Sequence, residues 1–149
     1  RRIIFVDKSG PSRAPMAAAI FSRMSLARPV EIMARGLVVL MPEPLNQKAE
    51  AILISNNMSL EEYRSKQLED KDLIEGTVLF AFDSDIKAKV IEQYGWGDAY
   101  VLTDFVGDEL EIVNPYGESV QIYGLCFETI SNSLEKLVDR LNESGGMLK

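Results

Sequence analysis

The chain has 149 residues, 46% hydrophobic and 26% charged, with a formal net charge of −7. That suffices for one domain, spanning 1–149, with a real core; the acidic balance argues against a general nucleic-acid or membrane-surface binder, since both want a basic face. Histidine is absent and Cys126 is the one cysteine. This excludes imidazole-based triads, an intramolecular disulfide and a cysteine-rich zinc site, and it suits a reducing, cytoplasmic setting.

In chain order, Ile3–Val6 reads as a buried strand ending in turn residues. Asp7-Lys8-Ser9-Gly10-Pro11-Ser12-Arg13 forms a Gly-containing turn with Arg at its end, and Pro15 suits the first turn of a helix continuing over Met16–Leu26. Val30–Ala34 is a second strand, Leu45–Asn57 a helix and Leu60–Arg64 a short helix, followed by loop and a helical turn over Lys66–Ile74. Thr77–Phe82 is a third strand, apolar enough to be covered on both faces. Asp83 or Ser84 caps a helix over Asp85–Tyr94, and Ala99–Leu102 is a fourth strand. Thr103–Gly117 reads mostly as loop, with acids at Asp104, Asp108, Glu109 and Glu111. Val120, Tyr123, Phe127, Ile130, Leu134, Leu137 and Leu141 step by three and four, marking one apolar face of a final helix. The longest apolar runs, such as Leu37–Met41 and Val78–Phe82, have strand length, so neither a signal peptide nor a membrane span is expected.

Alternating strands and helices predict a three-layer α/β fold with a four-stranded, doubly wound parallel sheet. Ligands of such sheets bind beyond the C-terminal strand ends, so the 7–13 turn lies in the default site. Its composition, a Gly-containing turn between strand and helix with a closing Arg, is that of a phosphate cradle.

Phe5-Val6-Asp7, Arg13-Ala14-Pro15-Met16-Ala17, Ala19-Ile20-Phe21, Tyr63-Arg64-Ser65-Lys66-Gln67-Leu68, Asp104-Phe105-Val106-Gly107 and Val113-Asn114-Pro115-Tyr116-Gly117 are similar, in order and spacing, to the low-molecular-weight protein tyrosine phosphatase family. The resemblance covers essentially the whole chain. It implies a flavodoxin-like strand order and a phosphate-binding loop of Lys8, Ser9, Gly10, Ser12 and Arg13, with Tyr116 as a pocket wall. It implies no metal and no cofactor, and phosphate, another oxyanion or a phosphorylated protein as partner; a homo-oligomer is compatible.

The same resemblance marks departures. The family's nucleophilic Cys position is Asp7 and its general-acid Asp position is Asn114, whose amide cannot usefully protonate a leaving oxygen. Ala14 stands for a Ser that supports the thiolate, Gly10 for an Asn that ties the loop down, and Ser12 for a second Cys. Pro11 removes a backbone N–H donor from the cradle. The expectation is a pseudophosphatase with a modified oxyanion loop around Arg13 and a binding or regulatory role; Arg13 is expected to pair with Asp7 and close the loop, the alternative being an open anion site, and a shut pocket is what a purely structural module would show. The alternatives are a hydrolase using Asp7 as a non-standard nucleophile, with or without magnesium, and a purely structural or dimerising module. Asp83-Ser84-Asp85 reads as a helix cap before a metal pair, Cys126 as a packed side chain, and Trp96 as a plug between Gly95 and Gly97.

Overall fold

A computed structural model describes residues 1–60 and 62–143. Its strands are β1 (Arg2–Asp7), β2 (Glu31–Gly36), β3 (Thr77–Ala81) and β4 (Ala99–Val101), and its α-helices are α1 (Arg13–Ser22), α2 (Gln47–Ser55), α3 (Ser84–Tyr94), α4 (Leu102–Val106) and α5 (Val120–Glu143). The strands form one parallel sheet in the order β2-β1-β3-β4, the doubly wound arrangement expected. β1 is followed by β2 on one side and β3 lies on the other, so the loops leaving β1 and β3 diverge at a topological switch point.

The central strands are buried on both faces, as their unbroken apolar runs require. Ile3, Phe5, Val78 and Phe80 pack with α1, α2 and α5, whereas Ile4, Val6, Leu79 and Ala81 pack with Ile86 and Val90 of α3. α1 lies between the sheet and α5, and Ala14, Met16, Ala17, Ala19, Ile20 and Phe21 are all buried; a helix covered on several sides needs no polar face. The last helix presents the predicted stripe, to which Cys126 and Ser133 are added, while Val120 is exposed. Trp96 packs in the α3-side core and donates its indole N–H to the Thr77 carbonyl at 3.0 Å.

Several boundaries differ from the sequence reading for tertiary reasons. β2 runs on to Gly36 because its register with β1 continues to the pair Asp7 and Gly36. α1 begins at Arg13, three residues before Met16, because its first amides have a partner outside the helix, described below. Pro15 sits within the first turn, where a missing N–H breaks no intrahelical bond. No helix forms around Leu60–Arg64 at the described positions: one turn joins Tyr63 N–H to the Leu60 carbonyl and Arg64 bridges to Pro44. Within the loop expected after β4, Leu102 and Thr103 are buried and a five-residue α4 forms, closed by Gly107 in the left-handed region.

The end of β2 sets the position of the loop after β1. Leu37 and Val38 donate N–H bonds to the carbonyls of Asp7 and Lys8, both at 3.0 Å. Gly36 lies against that loop so closely that a Cβ would stand 2.7 Å from Ser9 C and 2.8 Å from Ser9 O. Gly36→Ala is therefore expected to cost about 1–3 kcal/mol through overpacking against backbone, measured as a lower urea midpoint at unchanged m-value.

Candidate functional site

The site lies at the C-terminal ends of β1 and β3, where the two loops part. Asp7 closes β1 and its side chain turns into the loop that follows. Its Oδ2 accepts the backbone N–H groups of Arg13 at 2.8 Å and Ala14 at 3.3 Å, the first two residues of α1. Its Oδ1 accepts the Lys8 N–H at 2.8 Å, Arg13 Nε–H at 3.0 Å and Arg13 Nη2–H at 2.8 Å. Ser12, the residue preceding α1, makes no side-chain cap. Asp7 thus caps the helix from six residues upstream, placing a full negative charge at its positive end.

Arg13 is buried almost completely, with 1% of its side chain exposed against 4% for Asp7. Besides Asp7 it donates through Nη1 to the Ile112 carbonyl at 2.7 Å and to Asp83 Oδ2 at 3.3 Å, and its guanidinium lies 5.5 Å from the centroid of the Phe82 ring. Asp83 serves two elements, since its other oxygen caps α3 at the Ile86 N–H, 2.9 Å away. One arginine thereby joins the ends of β1 and β3 and the segment before α5. A buried pair of this kind balances its desolvation only when its remaining donors and acceptors are satisfied, and here each guanidinium nitrogen has a partner, four hydrogen bonds in all. The expected Asp7–Arg13 pairing is present.

The loop is held from outside as well. Gly10 has φ +92°, in the left-handed region where a side chain is strained. Its carbonyl accepts the Tyr63 hydroxyl at 2.5 Å. Burial, with a smaller contribution from the Asp7 charge against an opposing one from Arg35, raises the Tyr63 pKa well above its ordinary value, so the phenol stays protonated and donating. The Pro11 carbonyl accepts the Asn46 N–H at 3.0 Å.

Above the loop lies a cleft of about 300 Å³ lined by Asp7, Lys8, Ser9, Pro11, Ser12, Val38, Leu40, Asn114 and Tyr116. Of the residues singled out in the sequence, Asp7, Lys8, Ser9, Ser12, Asn114 and Tyr116 meet there. Gly10 and Arg13 are not among its lining, Arg13 being buried beneath with its guanidinium engaged. Asn114 is exposed and its Oδ1 accepts the Tyr116 N–H at 3.2 Å, a local turn. Ser12 Oγ is buried and has no hydrogen-bond partner.

Sequence reasoning missed Asp83 as a ligand of Arg13, Tyr63 as the tether of Gly10, and Val38 and Leu40 as cleft walls. The position of Asp83 at the end of a central strand was an available signal; the others depend on β2 and the Tyr63 segment folding over the loop. The acids after β4 are not simply a solvated run. Asp108 accepts from Ser133 at 2.6 Å and from Lys136, and Glu111 accepts the Ser84 N–H at 2.9 Å. Burial alone would raise the Asp108 pKa, but the Lys136 and Ser133 hydrogen bonds, together with the Lys136 charge, bring it below its usual value. Asp85 pairs with Lys89 at 3.0 Å and Asp83 is held as described, so the Asp83-Ser84-Asp85 carboxylates both have protein partners. Cys126 is packed, and burial raises its thiol pKa to about 12 although nearby Arg13 acts in the opposite direction.

This geometry makes Asp7 and Arg13 mutually dependent. Asp7→Ala is expected to lower the unfolding free energy by about 3–5 kcal/mol by leaving a buried guanidinium without its carboxylate. Arg13→Ala should cost a similar amount, and the double variant less than the sum of the two. Additive losses in urea unfolding would show that the pair is uncoupled.

The family model described as low molecular weight phosphotyrosine protein phosphatase matches residues 2–146. A low molecular weight protein-tyrosine-phosphatase PtpB of Staphylococcus haemolyticus is 28% identical over 137 residues, 91% of this chain and 96% of that protein. A protein-arginine-phosphatase of Geobacillus stearothermophilus is 28% identical over 145 residues, covering 95% and 94%. Among solved structures, a low molecular weight protein tyrosine phosphatase from T. tengcongensis superposes with a TM-score of 0.86 at 26% identity, over 94% of this chain and 99% of that one. The YwlE arginine phosphatase from Geobacillus stearothermophilus, at 24% identity, shares the fold with a TM-score of 0.89 over 96% and 94%. With strand order, loop position and sequence in agreement, the chain belongs to the low molecular weight phosphotyrosine protein phosphatase family.

Proposed function

We propose that this chain is a non-hydrolysing member of its family, in which the loop over residues 7–13 serves recognition of an oxyanion-bearing partner and not phosphate-ester cleavage. The observation that carries the reading is that the Asp7 carboxylate already takes up the Lys8, Arg13 and Ala14 amides together with the Arg13 guanidinium. In the family pattern that position belongs to the attacking cysteine. Here its two oxygens accept five hydrogen bonds, more than their roughly four lone-pair sites, so little nucleophilic density is left. An incoming phosphate dianion would also meet a like charge where the family offers a free arginine.

Neither Asn114 nor Cys126 supplies the missing chemistry. Asn114, at the family's general-acid position, carries an amide that cannot give up a proton to a leaving oxygen; a placed acid contributes about 10²–10⁴ in rate. The Cys126 thiol stays protonated at neutral pH and is on α5, not on the loop. Chain-wide absence of histidine removes the commonest substitute base. What persists is a cradle-shaped loop, a cleft above it and Lys8 at its rim.

The relatives' names, protein-tyrosine and protein-arginine phosphatases, define the activity to be excluded. The decisive measurement is hydrolysis of phenyl phosphate between pH 5 and 8, with and without magnesium, beside an Asp7→Asn control. No turnover above the control is expected at any pH. Turnover that requires Asp7 would make the carboxylate a nucleophile and overturn the proposal.

A further inference from the structure

We infer that the cleft over loop 7–13 takes a carboxylate carried on an apolar body in preference to a phosphate ester. The inference rests on the non-hydrolysing reading above and names the ligand class of that site. It begins from charge. Asp7 and Asp83 both face Arg13, so the floor of the site carries one negative charge more than positive. Lys8, exposed on the cleft wall, returns the sum to zero. A site so balanced accommodates one negative charge far more readily than the two of a phosphomonoester.

Hydrogen bonding points to an oxygen acceptor. The loop's donors are divided. The amides of Lys8, Arg13 and Ala14 are consumed by Asp7. Those of Ser9 and Ser12, which line the cleft, enter no hydrogen bond among the described residues. Ser12 Oγ, in a residue only 3% exposed and lining the cleft at the start of α1, has no partner either. A buried polar atom left unpaired is costly, and the cleft is where a partner could reach it. A planar carboxylate, with two acceptor oxygens and no donor, matches such a set of donors.

The walls define the remainder of the ligand. Val38, Leu40 and Tyr116 are 55%, 96% and 74% exposed beside Pro11, around a volume of about 300 Å³. That is at the small end of ligand pockets and fits a single ring or a branched aliphatic group. Burial of these side chains under an apolar body would supply affinity that the reduced charge does not.

The test is a titration of the isotope-labelled chain, followed by the amide resonances of residues 8–14, with phenylacetate, phenylacetamide, phenyl phosphate and inorganic phosphate. Phenylacetate should bind at least about tenfold more tightly than phenyl phosphate. Ser12→Ala should weaken phenylacetate about fivefold, the loss of one ordinary hydrogen bond. Asp7→Asn, which frees Arg13, should invert the order in favour of phenyl phosphate. Should that variant fail to fold, the Ser12→Ala comparison decides alone. Phenyl phosphate binding as tightly as phenylacetate, phenylacetamide doing so, an unaffected Ser12→Ala, or no binding of any probe at millimolar concentration would each overturn the inference. Appearance of phenol in the phenyl phosphate arm would instead overturn the non-hydrolysing reading, whatever the order of affinities.

Discussion

The structure around the cleft depends on one buried carboxylate. Asp7 ends β1, caps α1 and neutralises Arg13, which in turn holds the Ile112 carbonyl and Asp83. Any fold that places a helix N-terminus over the end of a parallel strand creates a concentration of unpaired N–H groups and positive potential. Many proteins leave that potential for a bound anion. Here it is satisfied from within the chain, by a side chain fixed at the end of a central strand. The helix N-terminus and the carboxylate that answers it belong to one chain.

The position of this arrangement follows from topology. Because β1 lies between β2 and β3 while the chain crosses first to one side and then to the other, the loops after β1 and β3 separate, and the space between them has to be filled. Arg13 fills it, reaching across to Asp83. β2 and the segment leading to β3 close over the loop from the other side, through Leu37, Val38 and the Tyr63 hydroxyl. The cleft that remains is lined both by residues of the loop, Lys8, Ser9 and Ser12 among them, and by the apolar side chains of Val38 and Leu40 just beyond β2. Its chemistry is a by-product of how the loop is supported.

This has a bearing on how family membership relates to activity. The parallel sheet, the loop and its arginine are what the family resemblance rests on, and each also contributes to the fold: the strands build the core, the loop turns the chain, and the arginine balances a buried charge. Family membership therefore establishes the fold and does not by itself assign an activity. Positions 7 and 114 carry side chains with structural duties of their own: Asp7 caps α1, and Asn114 holds a surface turn.

The layout of strands and helices was legible in the residues because apolar runs and three-four spacing report directly which faces are buried. The position of the 7–13 loop at the end of β1 and the Asp7–Arg13 pair were legible for a related reason: a turn that short brings its two ends together. What local pattern could not determine was anything requiring a partner distant in sequence. The start of α1 at Arg13 depends on a cap six residues away, and the length of β2 on its register with β1. At the described positions near Leu60, Tyr63 and Arg64 bond elsewhere instead of continuing a helix. The engagement of Arg13 by Asp83 and the Ile112 carbonyl joins residues separated by 70 and 99 positions. The sequence by itself determined which groups are present, the order of the elements and the absence of imidazole. Only the tertiary structure decided which donors are already spent, because a hydrogen bond is directional and short-ranged, and its partner is chosen by packing.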